Sequence, residues 1–327
     1  MVISKTPFRS SFFGGGTDYP VWYEENGGTV LSTTIDKYCY VSARYLPPFF
    51  EHKSRIVWSK IESVRDIEEI EHPSARAVLR HLGIAEGLEI HHDADLPARS
   101  GLGASSSFTI GLLNALHTLQ GHVRTKQELA HEAIHVEQNI IKENVGSQDQ
   151  AAAAFGGFNK IQFGSSNALS VEPVIMDPSK LALLQKHFIL TFTGLARSAS
   201  DIAEEQIKNT KQKTDELTAM GQMVDEAMGI LHHPSSSLDD FGHLLHRSWQ
   251  LKRGLSSKIT NPLVDEIYDT ARKHGALGGK LLGAGGGGFM LFFADPQAHE
   301  NIKAHLASFL HVPFQFEGSG SEIIHYV

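Results

Sequence analysis

Among 327 residues there is one cysteine, Cys39. That excludes an internal disulfide framework and a cysteine-built zinc cluster, and it makes a reducing compartment the natural setting. Positive charge is also short: 29 Lys and Arg stand against 37 Asp and Glu, a formal net charge of −8. A broad basic face for nucleic acid or an anionic membrane is not expected. No apolar run nears the ~20 residues of a bilayer-spanning helix, and the first residues lack the apolar core of a secretory signal. No fixed-period repeat or low-complexity linker appears. What remains is a chain 41% hydrophobic and 20% charged, suited to a folded globular protein and long enough for two domains. A cytoplasmic enzyme with small-molecule partners, and neither nucleic acid nor membrane among them, is the expectation.

Glycine is plentiful, with 30 residues, and three segments concentrate it. Pro97-Ala98-Arg99-Ser100-Gly101-Leu102-Gly103-Ala104-Ser105-Ser106-Ser107 sets two glycines one residue apart, then three serines, then an apolar helix over Phe108–Leu119. Glycines let the backbone turn sharply and approach a ligand. A loop running into a helix N-terminus aims free N–H groups at one point, which suits a phosphate. A helix capped by serine reads equally well from these residues. The Walker pattern is absent, since no Lys-Ser or Lys-Thr pair follows the glycines. Thr6–Pro20, with Gly14-Gly15-Gly16-Thr17-Asp18, reads as a second glycine loop. In the third, Lys280–Phe289, Gly283, Gly285 and Gly288 satisfy the dinucleotide spacing. A strand, Phe289–Phe293, follows where that motif needs a helix, so the segment is expected to press against another loop or a ligand instead.

The pattern predicts a helix over Lys126–Lys142 in which Ala130, Ile134, Glu137 and Ile141 share one stripe. A carboxylate on an apolar stripe must be paired, metal-bound or set in a cleft, unless the stripe ends there in solvent. Asp149 follows, where Asn144–Gln150 re-enters the small residues Ala151–Ala154; helix capping is its plainest role. The same helix contains His131-Glu132-Ala133-Ile134-His135, which matches a zinc-peptidase pattern. Gln138 and Ile141 occupy the positions of the extended motif's glycine and third histidine, and the histidine pair points away from the apolar stripe. That match is read as fortuitous in a chain of 19 histidines. Elsewhere, strands are predicted over Thr29–Arg44, Leu88–Asp93 and His187–Phe192. Helices are predicted over Ser200–His232, Asp239–Ser256, from Pro262 onward, and over Ala298–Leu310. Strands and helices mix without regular alternation, which indicates an α+β fold with a boundary near residue 185.

Together these segments resemble the GHMP kinases, the family of galactokinase, homoserine kinase and mevalonate kinase. Pro7, Arg9, Gly14, Thr17, Asp18 and Tyr19 match its first motif, Pro97–Ser107 its second and Lys280–Phe289 its third. The resemblance implies two domains, residues 1–185 with a ribosomal-protein-S5-like fold and residues 186–327 with a ferredoxin-like fold. It also implies ATP and Mg²⁺. By resemblance Pro97, Arg99, Ser100, Gly101, Leu102, Gly103, Ala104, Ser105, Ser106 and Ser107 bind the nucleotide, and Ser105 and Glu137 hold the metal. Asp149 is the catalytic base, and Arg9, catalytic too, pairs with Asp149 or steadies the transferring phosphoryl group. Gly14, Gly15, Gly16, Thr17, Asp18, Gly285 and Gly286 bind the acceptor. Where galactokinase-like members carry Glu-His before Thr-Asp, this chain has Gly15-Gly16, which enlarges the sugar pocket. With Glu137-Gln138-Asn139 and Asn144–Gln150, this is similar to the branch that phosphorylates the anomeric hydroxyl of heptose 7-phosphates, for surface polysaccharides. Galactokinase-like and fucokinase-like acceptors are the alternative. A sugar phosphate needs a cation, for which Arg197 is the first candidate, ahead of Lys5, Lys53 and Arg55.

Overall fold

The computed structural model describes residues 1–195 and 199–327. Strand β1 (Val2–Phe13) leads through a glycine turn to helix α1 (Pro20–Asn26) and the long strand β2 (Gly28–Tyr45). A hairpin, β3 (Ser54–Val57) and β4 (Ile61–Val64), precedes α2 (Pro73–His81) and β5 (Leu88–Ala94). Helices α3 (Ala104–Leu119), α4 (Lys126–His135) and α5 (Gln148–Phe155) follow, then β6 (Phe158–Gly164) and β7 (Ala168–Pro173). The second half runs α6 (Pro178–Lys186), β8 (Phe188–Phe192), α7 (Ala199–Asn209), α8 (Thr214–His232), α9 (Leu238–Arg253) and α10 (Pro262–Lys273). It ends with β9 (Ala276–Leu281), β10 (Phe289–Ala294), α11 (His299–His305), β11 (Leu310–His311), β12 (Phe316–Glu317) and β13 (Glu322–Tyr326).

The strands form a nine-stranded sheet with the path β13-β1-β2-β5-β3-β4 and a four-stranded antiparallel sheet ordered β11-β8-β10-β9. The mixed α+β class is the one expected. In the second sheet β10 lies between β8 and β9 with all six residues buried, which suits its unbroken apolar run. The last strands return to the first sheet: Val2 pairs with Tyr326, and Phe316 with Ile35. Residues beyond 315 therefore pack with the N-terminal half, across the boundary expected near 185.

Three expected elements differ. The loop expected from Thr6 begins only at Gly14, because Arg9, Ser10 and Ser11 pair with Thr34, Thr33 and Ser32. Pro7, with no N–H to give, is accommodated at a register shift between Pro7 and Phe8. The helix expected over Lys126–Lys142 stops being α-helical at His135 and continues as a π-helical turn, Val136–Ile141, closed by Lys142 at φ 62°. The helix expected over Ser200–His232 breaks at Thr210–Gln212, where the Thr210 hydroxyl donates back to the Gln206 carbonyl.

Candidate active site

The second glycine segment delivers α3 to the centre of the molecule. Gly103, at φ 77° and ψ 22°, occupies the position before the helix and offers no side-chain cap. The three serines do other work. Ser106 Oγ donates to Glu137 Oε2 (2.9 Å), Ser107 Oγ donates to the Pro7 carbonyl (2.9 Å), and Ser105 is exposed. The first-turn N–H groups of α3 thus have no side-chain partner and face a cleft of about 260 Å³. Of the two sequence readings of this segment, the serine-capped helix is the one that fails.

The three glycine segments interlock. A Cβ at Gly101 would lie 2.4 Å from the Leu282 carbonyl oxygen, and one at Gly283 would lie 2.6 Å from Gly101 Cα. The Ser100 carbonyl accepts from Phe289 N–H (3.0 Å), and the Leu102 carbonyl from Arg9 N–H (3.0 Å). Glycine is required at 101 both by this approach and by its φ of 83°.

Arg9 projects from β1 into the cleft, almost fully buried. Its Nε and Nη2 donate to Asp149 Oδ1 and Oδ2, each at 2.8 Å, and its Nη1 to the Gly101 carbonyl (2.6 Å). This bidentate pair fixes the carboxylate beside the nucleotide loop, while Asp149 keeps part of its surface open. Asp18 sits opposite. Its Oδ1 accepts from Gly16 N–H (2.9 Å) and its Oδ2 from Gln148 Nε2 (3.0 Å). Burial raises its pKa; the Gly16 and Gln148 donors oppose that rise, and the nearby Asp149 adds to it. Gly146 lies so near that a Cβ there would meet Asp18 Oδ2 at 1.9 Å, so Asn144–Gln150 and the first motif are fitted to each other.

Glu137 is fully buried at the π-helical turn, where it joins Leu129, Ala130, Ala133 and Val136 on the inward face. Oε2 accepts from Ser106 and from Gln150 Nε2 (2.5 Å); Oε1 has no protein partner. Burial pushes its pKa up to about 7, against the pull of Thr109, Ser106 and Gln150. An unpaired, buried carboxylate oxygen beside a serine hydroxyl suits a hard divalent cation, which needs few protein ligands when phosphates and water supply the rest. The serine that faces Glu137 is Ser106, so Ser105, expected as the metal-side hydroxyl, stands outside this pair.

Several expected site residues sit elsewhere. Gly15, Gly16 and Asp18 line the cleft, whereas Gly14 packs on the Thr29 carbonyl and Thr17 donates to the Gly14 and Thr29 carbonyls. Arg99, Ser100, Gly101, Gly103, Ala104, Ser105 and Ser106 line it; Pro97, Leu102 and Ser107 do not. Gly285 and Gly286 pack against Ile259, whose carbonyl accepts from Gly286 N–H (2.9 Å), and do not reach the cleft. In the third segment Gly283 and Ala284 line it instead. Arg197 lies outside the described residues. Lys5 pairs with Glu322 and Arg55 with Glu89, and neither these two nor Lys53 lines the cleft. Within the zinc-like pattern, Glu132 is spent on His81 (3.0 Å) and His117 (2.8 Å). Among the described residues no group of three or more His, Cys, Asp or Glu is placed to hold a metal.

Two lysines escaped the sequence reading. Lys252 and Lys280 are 5% and 2% exposed, and both line the cleft. Lys252 continues the buried stripe of α9 that includes Phe241, Leu245, Ser248 and Trp249, so the argument that singled out Glu137 would have found it.

Residues 70–157 match the family model for the GHMP kinases N terminal domain, and residues 229–312 match that for the GHMP kinases C terminal. The chain is 30% identical over 311 residues to the D-glycero-alpha-D-manno-heptose 7-phosphate kinase of Campylobacter jejuni, covering 91% of each protein. It is 27% identical to the L-fucokinase/L-fucose-1-P guanylyltransferase of Bacteroides fragilis, of which it spans 36%. In fold it resembles a D-glycero-D-manno-heptose 1-phosphate kinase from Bacteroides thetaiotaomicron (TM-score 0.81, 23% identity, all of both chains). It also resembles the Lactococcus lactis galactokinase complexed with galactose (TM-score 0.74, 19% identity, 98% of this chain and 94% of that one). With the interlocked glycine segments and the Arg9–Asp149 pair at one cleft, these matches establish that the chain belongs to the GHMP kinase family and works as an ATP-dependent kinase.

Proposed function

We propose that the acceptor is a sugar phosphate, D-glycero-D-manno-heptose 7-phosphate, and that ATP phosphorylates its anomeric hydroxyl to give the 1,7-bisphosphate. The observation that carries this reading is the Arg9–Asp149 pair, held between the uncapped end of α3 on one side and Asp18 with Gly15 and Gly16 on the other. The α3 N–H groups and Arg99–Ala104 receive the ATP phosphates. Asp18 and Gln148, whose Oε1 has no protein partner, bind acceptor hydroxyls. The missing side chain at Gly15, where a Cβ would meet nothing closer than 3.7 Å, leaves room for a seven-carbon sugar, whereas Gly16 is packed against Gln206 and Leu217.

Asp149 accepts the acceptor's proton as its oxygen attacks the γ-phosphorus. Arg9 keeps the carboxylate in place through that step. Glu137 and Ser106 would hold Mg²⁺, which supplies charge neutralisation of the ATP phosphates when bound. Likeness to the Campylobacter jejuni kinase across nearly the full length supports the choice of sugar. A role in surface-polysaccharide synthesis follows from that product.

The purified protein, ATP and Mg²⁺ are incubated with heptose 7-phosphate, galactose, L-fucose and mevalonate while ADP release is followed. Turnover is expected with the heptose 7-phosphate, with a new anomeric phosphate in the phosphorus NMR spectrum. Turnover confined to any of the other three overturns the assignment.

A further inference from the structure

Of the three buried cations that line the cleft, two have no carboxylate within ion-pair distance among the described residues. Arg9 is paired with Asp149. Lys252 and Lys280, from the second half of the chain, form no ion pair among the described residues. Lys252 Nζ donates to the carbonyls of Leu281 (3.0 Å) and Gly283 (2.5 Å), leaving its third N–H uncommitted. Lys280 Nζ donates to the Phe12 carbonyl (2.9 Å) and so ties the second sheet to β1.

Geometry says where an anion would be welcome. Gly283 is pressed against Gly101, and the Gly101 carbonyl accepts from Arg9 Nη1. The Lys252 ammonium and the Arg9 guanidinium are thus bound to two glycines that touch, Gly283 and Gly101. A buried ammonium without a carboxylate partner is costly. Burial lowers the Lys252 pKa to about 8, repulsion from Arg9 adds to this, and Asp18 and Asp149 oppose it. Lys280 faces Lys252, Arg9 and Asp18, and burial lowers its pKa too. All of these charges line the cleft onto which the start of α3 and Asp149 also face.

We propose that Lys252 is a catalytic residue of phosphoryl transfer, its ammonium binding the phosphoryl group in flight between α3 and Asp149. As the acceptor oxygen bonds to the γ-phosphorus, the bond to the β–γ bridging oxygen breaks and its electron pair leaves with ADP. The acceptor proton goes to Asp149. Charge on the transferring group's outer oxygens is met by Lys252, which gives up no proton. This role rests on phosphoryl transfer and not on the identity of the sugar.

Lys252→Met and Lys252→Arg are compared with the parent protein by steady-state kinetics and by titration with MgADP, with and without aluminium fluoride as a mimic of the transferring group. For Lys252→Met, kcat is expected to fall about 10²–10³-fold, the range for losing one preorganised donor to a transition state. The KM values for ATP and acceptor should move less than about threefold. Slow ATP hydrolysis without any acceptor should fall in proportion, and the tighter binding that fluoride gives MgADP should vanish. Lys252→Arg, which keeps the charge, should recover part of both. A raised KM for the acceptor at unchanged kcat would make Lys252 an acceptor-binding group. A raised KM for ATP alone would make it a brace for the glycine loops. Either result overturns the proposal. Should Lys252→Met fail to fold, Lys252→Gln gives the same readings. If the parent does not turn over heptose 7-phosphate, the choice of sugar fails, while the hydrolysis and fluoride measurements still decide the role of Lys252.

Discussion

Asp149 lines the cleft and Glu137 lies buried behind Ser106, which also lines it, and their surroundings give the two carboxylates different work. Arg9 grips both oxygens of Asp149 beside the nucleotide loop, where a proton acceptor is needed. Asp149→Asn keeps the size and one of the two bonds to Arg9 but removes the base. Its kcat should fall by about 10²–10⁴, with nucleotide affinity, measured by calorimetry, nearly unchanged. Glu137 is buried with one free oxygen and a pKa near 7. A cation competes with a proton for this group, so the sign is fixed: below about pH 7 the protonated form dominates and the cation must displace that proton. The apparent Mg²⁺ affinity should therefore weaken as pH falls, approaching tenfold per unit, and level off above 7. Activity titrated with Mg²⁺ from pH 5.5 to 8 reads this directly; a flat dependence would remove Glu137 from the metal site. Glu137 was legible in the sequence because a carboxylate breaks an apolar stripe, whereas Arg9 and Asp149 were reached through the likeness of their motifs to the family's, Asp149 reading by itself as a helix cap. The choice of Ser106 over Ser105 was not legible, since consecutive residues on a first helical turn differ by ~100° in direction and only packing against Glu137 selects one.

The elements that place these residues are held by backbone contact. Gly101 meets Leu282 and Gly283, Gly288 meets the Ser100 carbonyl, and Gly146 meets Asp18. Gly101→Ala therefore faces a φ of 83°, a cost of roughly 1–2 kcal/mol for a residue with a Cβ, and a Cβ set 2.4 Å from the Leu282 oxygen. It should lower the thermal midpoint by several degrees and raise the KM for ATP more than that for the acceptor, because the displaced segment is the nucleotide loop. The glycines of the third segment made a close approach to another loop or a ligand readable in advance, but not that the second segment is what they meet. The extent of β1 was not readable: its polar residues Arg9, Ser10 and Ser11 look like loop, and only the pairing with Ser32–Thr34 shows them to be strand. The break between α7 and α8 was hidden for the opposite reason. Thr210 is an acceptable helix residue until its hydroxyl bonds the Gln206 carbonyl and Asn209 Nδ2 reaches the Leu255 carbonyl, just beyond the end of α9.

At the scale of the molecule, the largest core draws on both halves expected from the sequence, and a second cluster around Trp249 belongs to the second half except for Trp22. Phe12 stacks on Phe188 at 5.1 Å and Phe13 meets Phe241 edge-on at 5.0 Å, each pair joining residues from opposite sides of position 185. Ser321 adds polar stitching, with its hydroxyl on Thr6 Oγ1 (2.8 Å) and its N–H on the Ala153 carbonyl (2.9 Å). Lys280, from the second sheet, is hydrogen-bonded to the first. Sequence pattern marks domains by changes in composition and cannot register a core whose aromatic residues come from both sides. The physical consequence is cooperative unfolding. Trp58 reports on the first half and Trp249 on the second, so variants keeping only one of them should give coincident urea transitions; separated midpoints would mean that each half folds on its own core. Removing residues 319–327 tests the same coupling from the other direction. It deletes β13, whose partners all lie in β1, together with the Ser321 contacts to Thr6 and Ala153. In a coupled molecule both tryptophan probes should shift to lower urea together, although no residue near Trp249 has been touched.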